Sequence, residues 1–597
     1  MAVTLTSVAL VLLGQREGDA LLALGPLVST FLGPSPHLSL SEACALASTS
    51  LLDWMWSLSC TSEAGRAAGW RLSDYLRSEP HYYHWQFWKA TKVAAERGDL
   101  ALVSWLVAHF SSCTVSVEVV EAAAKNGHLG VLQFLLEHDA VEAKGARMSR
   151  GSLGRTEHRG CKLQPAIENG HSDVGRWLYT HAPHELDAEE IRLAIEASLK
   201  VGDMELASFL VPPGGRLVDF AYMVDRPEVI EMMLDAGILR EDPGAAAASI
   251  RRLATSGRLD LMLRIARLHS PPLPPTHVNF DWRNDWFYAA IQACEVGDVE
   301  TVKWLVQHPL SKGLCETDLM FGRSSEIAHW FCVASGAGQI EAMEFLYEQD
   351  LADQIDRSVV RAAHNGHLNA VQWIFEHFSI TQLDIFELVV EEAAKGGYLD
   401  IVKYIDTLGG LATRPTTWST KVMDLAAEHG HLEVVEWLHN HRAEGCSAQA
   451  MEGAAANGHL EVMQWLHDKR YEGCSTAAMD GAAKQGHLHV LKWLFHHRSE
   501  GCTGKAAIDA AEHGHVHIVA WLRDHYPEFV PSQQNMVIFP PKQFEVMLFL
   551  HEVYPDIFSP ENGDRPLFGV VGEANDTPVR IWLQDKYPVI IAKRMDP

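Results

Sequence analysis

The sequence lacks the short motifs with which most enzymes bind nucleotides or activate a nucleophile. It contains no G-x-x-x-x-G-K-[ST], no G-x-G-x-x-G, no G-x-S-x-G and no H-E-x-x-H pattern. Ten cysteines are spread over 597 residues without the paired spacing of a disulfide framework. We therefore expect a non-enzymatic protein with reduced thiols, no cofactor and no metal.

Positive charge and long apolar segments are also scarce. The formal net charge is −28 and the pI is near 5.5, whereas nucleic acids and anionic membranes attract a basic face. No apolar run reaches the roughly 18–20 residues that span a bilayer. We expect no nucleic acid and no membrane as partners. Residues 1–20 have signal-peptide length but no basic residue before Arg16, so we expect a cytoplasmic protein, with the nucleus as an alternative and secretion less favoured.

One short pattern recurs along most of the chain. Its four regular copies read LAAEHGHLEVVEWL, AAANGHLEVMQWL, AAKQGHLHVLKWL and AAEHGHVHIVAWL, with a glycine every 28 residues. Degenerate copies precede them, and a weaker unit without its glycine lies at Arg226 and Pro227. We call these recurring glycines the pivot glycines. They are Gly98, Gly127, Gly170, Gly202, Gly257, Gly297, Gly338, Gly366, Gly397, Gly430, Gly458, Gly486 and Gly514.

Each copy predicts a pair of helices. The alanine-rich segment before the pivot favours a short first helix, and glycine ends it because glycine enters the left-handed region without a Cβ penalty. The second segment carries apolar residues three and four positions apart, which predicts one apolar stripe. In the Gly430 copy this stripe is Leu432, Val434, Val435, Trp437 and Leu438. A fixed period of this length indicates an all-α fold, an α-solenoid of stacked helix-turn-helix repeats.

The regular copies resemble the ankyrin repeat, A-A-x-x-G-H-x-x-V-V-x-x-L-L. They depart from it in lacking T-P-L-H at the start of the first helix and in a period of 28 where about 33 is usual. They are similar to the short variety common in oomycete proteins. The resemblance implies protein binding on a concave face lined by first helices and preceding turns. The missing residues imply tight turns such as RAEGCS and RYEGCS in place of the usual β-hairpin fingers.

The repeats and the sequences between and around them divide the chain into eight segments. Residues 139–163 are basic, rich in glycine and aperiodic, which predicts a mobile insert. Residues 271–285 begin with four prolines and predict a stiff bridge. Terminal repeats are expected to be atypical because their outer face meets water. The segments are a helical N-terminal cap (1–84), ankyrin-like repeats (85–138), the basic insert (139–163), degenerate repeats (164–270), the bridge (271–285), further repeats (286–415), the four regular repeats (416–530) and C-terminal capping repeats (531–597).

Histidine is frequent, and its spacing invites a metal hypothesis. Cys446, Cys474 and Cys502 each stand thirteen positions before a pivot histidine. Structural zinc prefers paired ligands in one closed tetrahedron, and this offset follows from the repeat period alone. We expect the histidine after each pivot to brace the turn by hydrogen bonding.

Positions that differ between the regular copies are free to be specific for a partner. We predict that a protein partner binds a monomeric scaffold through such positions on the first helices and turns. The alternative is a substrate receptor of a ubiquitin ligase that recruits through the N-terminal helices. The predicted partner-binding residues are Gln449, Glu452, Tyr471, Asp480, Lys505 and Ile508.

Overall fold

The structure is a computed structural model of the whole chain. It describes residues 35–66, 69–111, 113–145, 163–181, 187–222, 224–269, 280–311, 329–380, 382–409, 418–529, 544–555 and 577–587. The predicted signal-peptide-like start, most of the basic insert and the prolines of the bridge lie outside these ranges. Within them the secondary structure is helical and contains no strand, so the predicted all-α solenoid class is confirmed. No helix of these ranges has the length and apolar content to cross a membrane.

The chain forms two compact units. The first comprises residues 1–213 and 507–597. Its helices up to residue 213 are α1 (Leu40–Ala45), α2 (Thr49–Leu58), α3 (Leu72–Ser78), α4 (Pro80–Arg97), α5 (Leu100–His109), α6 (Val117–Lys125), α7 (Leu129–Gly145), α8 (Gln164–Glu168), α9 (Ser172–His181), α10 (Ala188–Val201) and α11 (Met204–Leu210).

The second unit comprises residues 214–506. Its helices are α12 (Pro227–Asp235), α13 (Ile238–Glu241), α14 (Pro243–Leu253), α15 (Leu259–Leu268), α16 (Phe280–Val296), α17 (Val299–Gln307), α18 (Trp330–Gly336), α19 (Ile340–Glu348), α20 (Ile355–His364), α21 (Leu368–His377), α22 (Leu383–Lys395), α23 (Leu399–Gly409), α24 (Thr420–Glu428), α25 (Leu432–His441), α26 (Ala448–Ala456), α27 (Leu460–Lys469), α28 (Thr476–Gln485) and α29 (Leu488–His497).

Four further α-helices follow in the described residues. Helix α30 begins in the second unit and ends in the first, and the three helices after it belong to the first unit. They are α30 (Gly504–Glu512), α31 (Val516–His525), α32 (Phe544–Val553) and α33 (Thr577–Lys586).

All thirteen pivot glycines have left-handed backbone, with φ between +67° and +92°. The residue after each regular pivot donates its backbone N–H to the first helix, as in the 2.9 Å bond from the His459 N–H to the Ala454 carbonyl. This bond satisfies a carbonyl that would otherwise be unpaired at the helix end. The predicted helix, glycine and helix order is confirmed at every pivot.

The core of the regular repeats is narrower than the sequence predicts. Val434, Val435 and Leu438 are buried, as are the alanine pairs of the first helices. Trp437 is only half-buried, and its ring stacks on His441 with a centroid distance of 4.7 Å. His441 lies four residues further along the same helix, where side chains of one face meet. The expected place of the tryptophan in the core is therefore wrong.

The repeat at Arg226 and Pro227 is incomplete. Helix α12 supplies the second helix of this unit, and Pro227 occupies its first turn. A 3₁₀ helix, Leu217–Phe220, precedes it where other repeats have an α-helical first segment. Such helices are short because their hydrogen-bond geometry is poorer. The following first helix, α14, packs on the first helix of the next repeat, α16.

Within the first unit the two ends of the chain contact each other. Helix α4 packs on α33, and the ring of Tyr82 meets that of Phe544 edge-on at 5.5 Å. The carboxylate of Glu545, which is buried, accepts hydrogen bonds from Gln86 Nε2 at 3.0 Å and from Lys89 Nζ at 3.1 Å. Each end thereby covers apolar surface of the other, where the sequence suggested that terminal faces meet water.

A pivot glycine has two roles: it adopts the left-handed backbone, and it leaves room for a side chain of the next repeat. Substitutions at three glycines of adjacent repeats separate these roles. Gly127→Ala should destabilise most, because its Cβ would strain φ +77° and lie 2.3 Å from His171 Nδ1. Gly170→Ala meets no atom, so it should cost only about 1–2 kcal/mol of left-handed strain. Gly130→Ala, within α7 and also in open space, should be neutral or stabilising by up to about 0.5 kcal/mol.

Urea unfolding, monitored by circular dichroism, measures the free energy of unfolding of the three variants and so tests the predicted order of destabilisation. Equal effects of the two pivot variants would show that the imidazole contact is irrelevant, and a costly Gly130→Ala would invalidate the comparison.

Candidate protein-interaction surface

A carboxylate of each of the first three regular repeats holds the start of the next first helix. Asp424 Oδ1 accepts from the Ser447 N–H at 2.8 Å, and Oδ2 accepts from the Ser447 hydroxyl at 2.7 Å. Asp480 makes the same two bonds with Thr503, at 2.8 and 2.6 Å. Two of the six predicted partner-binding residues therefore also serve the fold: Asp480 in this way, and Glu452 through one bond.

The bond of Glu452 is single because its side chain is longer. Glu452 Oε1 accepts from the Ser475 N–H at 2.9 Å. In the sequence this link appears as an acidic residue followed by Ser or Thr 23 positions later. The fourth copy has Ile508 at the acidic position, in the part of α30 that belongs to the first unit, and its side chain is half-buried.

The hydroxyls at the helix starts orient the next residues outward. Ser447 Oγ accepts from the Gln449 N–H, and Thr503 Oγ1 accepts from the Lys505 N–H. Side-chain caps of this kind satisfy the first donors of a helix. The side chains of Gln449, Ala477 and Lys505 are consequently exposed at equivalent positions of three successive first helices.

The turns between regular repeats are built around an arginine, a glutamate and a glycine. The Arg470 guanidinium pairs with Glu472 of its own turn and donates to His439 Nδ1 of the preceding repeat at 3.2 Å. It lies so close to the preceding turn that a Cβ on Gly445 would be 2.3 Å from Nη2. Sequence reasoning expected tight turns but missed this link. Its signal is the recurring R-x-E-G-C.

The turn cysteines are part of this packing. Burial raises the pKa of the Cys446 thiol to about 11 and raises that of Cys474 above its usual value. Zinc binds the thiolate form, which these environments disfavour. Among the described residues no group of three or more His, Cys, Asp or Glu side chains is placed to hold a metal ion.

Tyr471 is the most exposed large hydrophobic side chain of the described chain, at 92%. Its ring lies 5.8 Å from the Arg470 guanidinium. The equivalent turn positions in the neighbouring repeats are Ala443 and Ser499, both exposed. Because those turns have the same Arg–Glu pairing without an aromatic residue, the tyrosine ring is not required to form the turn.

We call the side of the second unit that carries these positions the first-helix face. It consists of the exposed first-helix residues and of the turn positions between them. The first-helix face of the regular repeats comprises Ala443, Gln449, Tyr471, Ala477, Ser499 and Lys505.

The histidines after the pivots act between repeats. His431 Nε2 bonds the Lys395 carbonyl of the preceding repeat at 2.9 Å, and its ring lies over Gly397, where a Cβ would be 2.4 Å from Nδ1. The expectation that these histidines brace a turn by hydrogen bonding holds, but the turn belongs to the neighbouring repeat. In the Gly338 repeat Gln339 takes the same place and donates to the Glu295 carbonyl at 3.2 Å.

Two pivot histidines make the stability depend on pH. Burial lowers the pKa of His459 and of His487 from the ordinary 6.5, and neighbouring histidines lower it further. A histidine whose pKa is lower in the folded state stabilises the fold above its ordinary pKa, and this contribution is lost as the pH falls. We predict that His459→Gln with His487→Gln reduces the loss of stability between pH 7.5 and 5.5.

Glutamine is the matched replacement because Gln339 already fills this place in the chain. Urea unfolding at several pH values measures the difference between the variant and the unchanged protein. A variant that loses stability as steeply as the unchanged protein would show that these imidazoles do not set the pH response.

Comparison with known families identifies the regular array. A family model described as "Ankyrin repeats (many copies)" matches residues 423–467, which cover α25, α26 and most of α27. Residues 423–467 are ankyrin repeats. The predicted resemblance is thus confirmed, and the short oomycete variety stays a prediction. No curated protein matches the chain.

Solved structures give only distant likenesses to this chain. A crystal structure of the pentatricopeptide repeat protein PPR10 from maize is 13% identical, covers 89% of this chain and 79% of its own, and has a TM-score of 0.30. Two structures of PPR10 in complex with an 18-nt psaJ RNA element are 11% identical and cover 88% of this chain and 98% of theirs, with a TM-score of 0.25. Scores this low carry no argument about the activity of the ankyrin repeats.

The expectation that excluded nucleic acid is nevertheless corrected. It rested on the net charge of −28 alone, and two of the structures found are of the one protein PPR10 in complex with RNA. A local surface can differ in charge from the whole chain, as the exposed Lys505 on the first-helix face illustrates. Net charge therefore does not decide the class of partner.

Proposed function

We propose that the protein is a non-catalytic scaffold that binds a protein partner on the first-helix face of its regular ankyrin repeats. Ankyrin repeats present many equivalent positions on a stiff array, which suits recognition of a surface more than chemistry in one pocket. Burial raises the pKa of the turn thiols of Cys446 and Cys474, which agrees with thiols that stay reduced in a cytoplasmic setting.

Tyr471 is the observation that carries this proposal. An aromatic ring that is 92% exposed gains little from the fold, and the neighbouring turns form with alanine or serine in its place. Tyrosine is enriched among the residues that dominate binding energy at interfaces. We therefore assign Tyr471 as the anchor of the partner.

The other predicted residues take different parts in this proposal. Gln449 and Lys505 offer exposed polar contacts beside Tyr471 on the second unit. Glu452 and Asp480 keep the first helices in place, so their contribution to binding is coupled to stability. Ile508 belongs to the first unit, and we propose it as a separate contact between that unit and the partner.

The ubiquitin ligase alternative has less support. It needs the N-terminal helices to be available for recruitment, whereas α1 packs on α4 within the first unit. The aromatic side chains Tyr82 and Trp85 are buried there.

Photo-crosslinking from the turn tests the proposal in the full chain. Tyr471→p-benzoylphenylalanine, expressed in cells and illuminated, should form adducts of higher mass that ribonuclease leaves intact and in which mass spectrometry finds peptides of a second protein. Tyr471→Ala should weaken binding of the captured protein by about tenfold or more, as for an interface hot spot. Fluorescence anisotropy with the purified partner measures this loss.

Ser499→p-benzoylphenylalanine and Ser499→Ala are the matched controls, because Ser499 holds the same turn position one repeat later. Circular dichroism of each variant confirms folding. Adducts that ribonuclease removes would identify RNA as the ligand and overturn the proposal. Equal adduct patterns from positions 471 and 499 would remove Tyr471 as the anchor.

A further inference from the structure

A cavity of about 260 Å³ opens beside the incomplete repeat of the second unit, several times the roughly 30 Å³ share of a water molecule. It lies where the residues after the 3₁₀ segment Leu217–Phe220, the end of α14 and the middle of α16 come together. The cavity is lined by Asp225, Arg251, Arg252, Thr255, Tyr288 and Gln292.

The lining residues lie on the continuation of the first-helix face. Tyr288 stands nine positions before its pivot Gly297, as Gln449 does before Gly458 and Lys505 before Gly514. Arg251 stands six positions before Gly257, as Glu452 does before Gly458. The cavity is therefore a concave point on the same side of the repeats that is proposed to bind a partner.

The charges around the cavity are balanced in pairs. Arg251 Nη1 pairs with the buried Asp285 at 3.0 Å, and Arg252 Nε pairs with Asp225 at 2.9 Å. Arg252 is only 12% exposed, and its Nη1 also donates to the Tyr222 carbonyl at 2.7 Å. These residues offer a charged ligand no counter-charge, because each arginine already has a carboxylate partner.

The neutral groups of the lining both donate and accept hydrogen bonds. Thr255 and Tyr288 supply hydroxyls, and Gln292 supplies an amide. The Gln292 Oε1 atom is buried and has no hydrogen-bond partner. The Tyr288 ring, 43% exposed, adds an apolar wall. A ligand that fits must be neutral, donate and accept hydrogen bonds at once, and carry a short aliphatic portion.

We propose that this cavity binds a neutral amide side chain, Asn or Gln, within an extended segment of a partner protein. The amide exchanges hydrogen bonds with the hydroxyls of Thr255 and Tyr288, and its methylene groups lie on the Tyr288 ring. The inference rests on the proposed function for the origin of the ligand in a protein. It concerns a site separate from Tyr471.

Saturation-transfer difference NMR on the full chain tests the proposal with defined probes. N-acetylglutamine N-methylamide should give a signal about fivefold stronger than the N-acetylglutamate and N-acetyllysine analogues. A factor of this size is expected because each analogue loses one hydrogen bond or brings one mismatched charge. Free glutamine, a zwitterion, should bind as weakly as the charged analogues. Tyr288→Ala and Thr255→Val should each reduce the signal of the amide probe about fivefold.

Leu388→Ala is the matched control, because Leu388 has the same 43% exposure and the equivalent place before its pivot Gly397. It should leave the signal unchanged. Equal signals from all probes, or a signal that survives Tyr288→Ala and Thr255→Val together, would overturn the amide site. Stronger binding of free glutamine would make it a metabolite site. Failure of crosslinking at position 471 would leave these signals unaffected, so the two proposals fail separately.

Discussion

The packing of the repeats depends on a backbone conformation that only glycine adopts at low cost. At each pivot the left-handed residue ends the first helix and leaves its Cα bare. At several pivots the next repeat fills that space with a flat polar side chain, such as His128 over Gly98, Gln339 over Gly297 and Tyr398 over Gly366, whereas the space at Gly170 stays open. Where the side chain is His128 or Gln339 it also bonds a carbonyl near the end of the first helix. One glycine thereby sets the turn and the distance between neighbours.

This constraint determines which surface remains for a partner. The alanine pairs and the apolar residues of the second helices are buried, so they are not available to a partner. The carboxylates of Asp424, Glu452 and Asp480 are engaged with the next helix start. What remains variable without cost to the fold is the exposed first-helix position and the middle of the turn. Tyr471 and the cavity beside Tyr288 both lie at such places.

Local pattern was sufficient for the repeats and insufficient for contacts between them. The pivots and helix pairs follow from composition and period, since glycine, alanine and apolar spacing act within one copy. Apolar spacing predicts Trp437 in the core, but its ring is half-buried and stacks on His441. The roles of Glu452 and Asp480 depend on residues 23 positions away. Contacts such as Tyr75 with Glu552, 477 positions apart, leave no periodic signal.

The contact between a pivot and its neighbour can be measured by a double-mutant cycle. Gly458→Ala brings a Cβ to 2.8 Å from the His487 ring, and His487→Ala removes that ring. Unfolding free energies from urea titration of the two single variants and the double variant give the coupling. The account predicts that the double variant is less destabilised than the sum of the single variants, because the steric part of the glycine effect needs the imidazole. Additive effects would contradict it, since the two residues would then act independently.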